Sequence, residues 1–182
     1  MTAAAIAAFS QIPFGGFSSP QAYKDNIPDV VDSSFVVSEI SQSPDGNDRD
    51  FRLEYKDERG RTKLYRKDIL IFADGENYFI SDGTHSFGAP RFRKLVRCDG
   101  FSYFRRVSLA PSGTQEHSQK GINESWVIVD NSDGTISNLT DKVLKQILIR
   151  KQPVLYNEYS DKGKRNGNPI DYIKRICEMS LI

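Results

Sequence analysis

The stretch DILIFADGENYFISDG (68–83) constrains this chain more than any other. Ile69, Leu70, Ile71 and Phe72 are consecutive apolar residues. However a strand through them is pleated, both of its faces carry hydrocarbon. Such a strand must be covered on both sides, which places it at the centre of a sheet with a second layer against it. Asp74-Gly75 then supplies residues suited to a tight reversal, and the chain returns through Tyr78, Phe79 and Ile80 before Asp82-Gly83 turns it again. The stretch is an antiparallel hairpin. It holds no phosphate loop, no metal-ligand spacing and no nucleophile paired with a base.

The rest of the chain reads as elements that extend or cover that hairpin. Ser19 before Pro20 starts a short helix, the hydroxyl capping orphan N–H groups, and the helix stops by Asp25 ahead of Pro28. Strands follow at 33–41 and around FRLEYKD, where Phe51, Leu53 and Tyr55 take one face and charges the other. THSFGAPRF (84–92) reads as a loop or poorly ordered edge. FRKLVRCDGFSYFRRVSL (92–109) is a hairpin about Asp99-Gly100, with Phe101, Tyr103, Val107 and Leu109 on one face of its return strand, interrupted by Arg105. The polar run 111–124 is a long exposed connection, and SWVIVD with GTISNL forms a last hairpin across 131–134.

From Thr140 the period changes to that of a helix. Thr140 caps it, Val143, Leu144, Ile147 and Leu148 make one stripe, and Arg150 and Lys151 suit its C-terminal end. Pro153 opens a second helix through Leu155, Tyr156 and Tyr159. A basic loop, DKGKRNGN, leads to a third with Ile170, Ile173, Ile176 and Cys177 on one side. The expected fold is α+β: an antiparallel, hairpin-rich sheet of about seven strands with two or three C-terminal helices packed on it. Those helices are the expected cover for the two-faced strand. Residues 1–15 are expected to form a leader-like or disordered tail and 16–182 a single domain.

A chain of 182 residues with 38% hydrophobic and 27% charged side chains can bury a core without metal. Its net charge of +1 offers no global field to attract nucleic acid or anionic membrane, and no apolar run approaches membrane-spanning length. MTAAAIAAFSQ at the start is like the apolar core and cleavage zone of a signal peptide, without the basic residues that should precede it. It is either a truncated leader or an Ala-rich tail. Cys98 and Cys177 can be small core residues or a disulfide, which spacing alone leaves open.

The succession GGFSSPQAYKDNIPD, FRLEYK, DILIFADGENYFI, FRKLVRCDGFSYF, WVIVDNSDGTISNLT, DKVLKQILIRKQPVLYNEYSDKGKRNG and DYIKRICE resembles a group of secreted domains, found mainly in bacteria of the Bacteroidetes type, that have no assigned activity. The resemblance runs over 16–178. It implies a cleaved leader and a secreted or periplasmic location, and it carries over no functional residue. The missing basic leader residues and Cys98 depart from the pattern.

The chemistry-bearing residues are sparse. His85 and His117 both fall in expected loops, and no serine sits in a G-x-S-x-G elbow. Counting an EF-hand from Gly134 or from Gly46 puts Val129 and Thr140, or Ser41 and Arg52, where acidic ligands belong, so PDGND and DNSDG read as turns. Arg91, Arg93, Lys94, Arg97, Arg105 and Arg106 interleave with Phe92, Phe101, Tyr103 and Phe104, a mixture chemically suited to single-stranded nucleic acid. The simpler reading is a strand pair whose aromatics are core and whose arginines are a solvated face. Asn123-Glu124-Ser125 and Asn138-Leu139-Thr140 match the glycosylation triplet, too short a motif to carry weight. The sequence thus designates no catalytic, cofactor-binding or metal residue and no cofactor. The function expected is a non-enzymatic envelope or interaction domain with a protein or envelope partner. Its alternatives are a small-molecule or carbohydrate module using an aromatic concavity of the sheet, and a hydrolase.

Overall fold

The computed structural model of the chain describes residues 11–42, 48–86, 88–109, 122–162 and 167–179. The chain is α+β, as its order of elements implies. Among the described residues ten strands are followed by three helices, with one short helix near the start. Strands β1 (Phe14–Phe17), β5 (Ile71–Asp74), β6 (Tyr78–Ser86), β7 (Ala89–Arg97), β8 (Phe101–Leu109), β9 (Ile122–Asp130) and β10 (Ile136–Asn138) lie side by side in that order. Every pairing is antiparallel. β7 is the hub. One edge pairs with β6, while the other is shared between β8, at Val96 and Arg97, and β3 (Arg49–Lys56), at Phe92. β2 (Val36–Gln42) and β4 (Thr62–Leu64) then flank β3.

Three apolar clusters hold this sheet in a bent form. The inner one joins Ile71 and Ala73 of β5 to Val127 and Val129 of β9, across Phe17, Ile80, Leu95 and Phe104, with Tyr23 of α1 (Pro20–Asp25) plugging its end. A second covers the other face of β5–β6–β7, where Phe72, Phe79 and Phe92 meet Phe35 and Leu53. The third lies outside β8 and β9. There Phe101, Tyr103 and Ile128 meet α2 (Asp141–Lys151), α3 (Pro153–Lys162) and α4 (Pro169–Met179). Burying each of these aromatic or branched side chains is worth about 1.5–3 kcal/mol before conformational entropy is charged against it.

The helices begin where local chemistry puts them. Ser19 Oγ accepts from Ala22 N (3.2 Å) and Thr140 Oγ1 from Val143 N (3.3 Å), both capping bonds. Pro20, Pro153 and Pro169 each open a helix. Leu144, Ile147, Leu148, Ile173 and Ile176 form the buried stripes that the helical period marks.

Four expectations need correction. The two-faced strand is not central, because β5 lies beside the edge strand β1. It is covered by the bend of the sheet and by aromatic side chains, while the C-terminal helices cover β8 and β9. THSFGAPRF is a hairpin rather than a loop: β6 runs to Ser86 and β7 starts at Ala89, with Gly88 at φ 74° between them. The end of the polar connection, from Ile122, belongs to β9, paired residue for residue with β8. The remainder of that connection, His117 included, lies outside the described residues. No helix among the described residues is long and apolar enough to cross a membrane.

Candidate functional site

A partly enclosed cleft of about 210 Å³ lies between α2 and the β9–β10 hairpin. Its floor is the edge of the third cluster: Phe101, Ile128, Val143 and Ile147. Its rim is polar, with Asp130, Asp133, Thr135 and Ser137 on the hairpin and Gln146 and Arg150 on the helix. Asp130 Oδ1 accepts from Ser132 N (2.9 Å) and Ser132 Oγ (2.6 Å), which ties the turn. Its Oδ2 faces Arg150 Nη1 across 3.8 Å, wider than a hydrogen bond. Asp133 Oδ1 accepts from Thr135 N at 2.8 Å, and that N–H holds its carboxyl below the usual range.

Both walls are fixed from outside. Gly134, at φ 74°, sits so close to α1 that a Cβ there would lie 2.3 Å from Pro20 Cγ, so the hairpin turn is pressed onto the first helix. On the other wall Lys151 crosses Gly100 and donates to Asp99 Oδ2 at 2.8 Å. A cleft whose walls are held in this way needs little ordering to accept a ligand.

The basic hairpin is organised quite differently from a binding stripe. Phe92, Phe101, Tyr103 and Phe104 are all buried, on both faces of the sheet, so none offers a ring for stacking. Its arginines are not a solvated face either. Arg93 is buried and ion-paired with Asp50, itself only 2% exposed, and its Nε donates to Asp82 at 3.1 Å. Arg91 joins the same group through Asp50, and burial followed by the Arg93 charge pulls its guanidinium below the usual value. Arg97 lies 4.5 Å above the Tyr23 ring and donates to Asn26 Oδ1 at 2.8 Å. Arg105 is bridged to Glu124 at 3.0 Å. These cations serve the fold.

Next to Arg97 a buried polar chain runs inward. The Tyr23 hydroxyl shares a 2.7 Å hydrogen bond with Ser102 Oγ, which donates to Asn131 Oδ1 (2.7 Å), and Asn131 Nδ2 donates to Cys98 O (3.1 Å). Burial pushes the Tyr23 hydroxyl up to about 12 against the pull of Ser102 and Arg97. Cys98, at the β7–β8 turn, is joined to Cys177 of α4 by a disulfide with Cα atoms 5.2 Å apart, so helix and sheet are covalently tied.

His85 lies beyond a bulge in β6, where the register shifts between Ser81 and His85. It lines an open cleft with Ser81, Asp68 and Arg106. His85 Nε2 stands 3.8 Å from Asp68 Oδ1, beyond hydrogen-bond reach, and both side chains face solvent. Among the described residues no group of three or more His, Cys, Asp or Glu is arranged to hold a metal.

Sequence reasoning found the cysteines and the aromatic core positions of the hairpin, read Asp82, Asp130 and Asp133 as turn residues only, and passed over Asp50. All four sit at or beside turns, where an Asp needs no further explanation, and the partners that distinguish them are distant in sequence. Comparison of the chain with protein-family models, with curated proteins and with solved structures returned no match.

Proposed function

We propose that the chain is a non-enzymatic binding domain working in an extracytoplasmic, oxidising compartment. The Cys98–Cys177 disulfide carries this reading. Disulfides persist in secreted and periplasmic proteins and are rare where glutathione and thioredoxin keep thiols reduced. The leader-like N-terminus and the resemblance to secreted bacterial domains support the same compartment. The binding role rests on the cleft beside α2, whose apolar floor and polar rim offer a ligand both kinds of contact.

Thiol counting on protein alkylated at the moment of cell lysis tests the compartment. Fewer than one reactive thiol in ten chains is expected, because both cysteines should be bonded, and the bond should be recovered from the extracytoplasmic fraction. Two alkylated thiols per chain in protein from its native host, recovered with the cytosol, would overturn the reading.

A further inference from the structure

We infer that the cleft between α2 and the β9–β10 hairpin binds one neutral, hexose-sized sugar residue, an inference that rests on the binding-domain reading and deepens it. Size comes first. About 210 Å³ holds roughly seven waters at about 30 Å³ each, which suits a single six-membered ring and is below the ~300 Å³ at which pockets for larger organic ligands begin. Chemistry follows. A pyranose has an apolar C–H face and an equator of hydroxyls, and the cleft has an apolar floor under a polar rim.

Charge discriminates between ligands. Asp130 and Asp133 face Arg150 and Lys151 around the same opening, with Lys151 also held by Asp99, so charges of both signs flank the rim. A phosphate or sulfate would have to sit beside two carboxylates, and a bare cation beside a guanidinium and an ammonium; a neutral ligand meets neither cost. The gap between Asp130 Oδ2 and Arg150 Nη1 is the specific feature. At 3.8 Å it is too wide for a direct hydrogen bond, yet one hydroxyl set beside both can donate to the carboxylate and accept from the guanidinium. Charged partners make each of those bonds stronger than a neutral pair. Gln146 and Ser137, which line opposite walls, add uncharged hydrogen-bonding groups for further hydroxyls.

The test is titration calorimetry and ligand-observed NMR on the oxidised full chain with methyl glycosides of glucose, galactose, mannose and N-acetylglucosamine, and with inorganic phosphate as a separate probe. At least one glycoside should bind with a dissociation constant on the order of millimolar, and phosphate should not displace it. Asp130→Asn and Arg150→Ala should each weaken binding by about tenfold or more, the loss expected for a charge-assisted hydrogen bond. His85→Gln, in the other cleft, should leave it unchanged. Arg150 is solvent-exposed, so its variant keeps the fold even if Asp130→Asn loosens the turn. No binding by any glycoside at about 50 mM, where a millimolar site would be filled, overturns the inference. So does binding that ignores both substitutions, or phosphate binding that depends on Arg150. Each of those outcomes leaves the thiol count untouched, whereas two free thiols in the host would defeat the compartment reading whatever the sugars do.

Discussion

At the scale of single residues, the position under most tension is Arg93. Its guanidinium stands between the carboxylates of Asp50 and Asp82, all three side chains being at most 5% exposed. Ions so far from water are tolerable only while paired, so Arg93→Ala, which leaves the buried Asp82 carboxylate without its cation and Asp50 with Arg91 alone, should cost about 3–5 kcal/mol in urea denaturation. Arg175→Ala removes a two-bond pair with Glu158 on the surface of α3 and α4 and should cost at most about 1 kcal/mol. Equal costs would show that the Asp50 group is solvated. A second residue-level effect follows from Tyr23, whose hydroxyl is held near 12 in the folded chain against about 10 when unfolded. Between those values the unfolded state has lost the proton and the folded state keeps it, so stability is fully present below pH 10 and falls as pH rises towards 12, with a limiting slope of about 1.4 kcal/mol per pH unit. Tyr23→Phe should make the alkaline fall of the urea midpoint shallower; an unchanged profile would place the titration elsewhere. Neither position is legible in sequence, because alternation predicts which face a side chain takes and says nothing of the partner waiting there.

Elements were legible to the extent that their determinants are local. The caps at Ser19 and Thr140 and the three prolines lie within four residues of the bonds they serve, and the helices begin there. β1 is the contrary case. FGGF has little strand propensity; it is a strand because Phe17 is buried in the inner cluster and because Gly16 lets Ile69 approach, a Cβ at that position lying 2.8 Å from Ile69 Cδ1. The β9–β10 turn shows the same dependence on a distant element, with a measurable consequence. Gly134→Ala adds backbone strain at φ 74° and a collision with Pro20, whereas Gly75→Ala, at φ 94° with nothing within 4 Å, adds the strain alone. The first should cost roughly 2–4 kcal/mol and the second about 1–2 kcal/mol. Comparing the two urea midpoints isolates the docking of the turn on α1. Equal midpoints would mean that the hairpin is not held by that contact, and the pre-formed cleft would lose one of its walls.

Over the whole molecule the chain has to solve one problem of order: the helices that cover β8 and β9 are made last and must return to a sheet whose strands began some hundred residues earlier. The apolar stripe of α4 supplies the attraction, and the Cys98–Cys177 bond makes the return irreversible under oxidising conditions. With the two cysteines 79 positions apart, chain-entropy reasoning puts the stabilisation at about 4.5 kcal/mol, and measured disulfides more often give about 2–4 kcal/mol. Because Ile170, Ile173 and Ile176 remain to be buried whether or not the bond exists, the reduced chain should still fold, with its urea midpoint lowered accordingly. Cys98→Ser with Cys177→Ser should behave like the reduced wild type, and amide exchange should quicken in α4 more than in β6 or β7, since the bond restrains the helix and the sheet has its own hydrogen bonds. A midpoint indifferent to reductant, or exchange rising equally in all three elements, would mean that the disulfide does not anchor α4. In that case the third cluster alone holds the helical layer over the sheet, and with it the helix wall of the cleft.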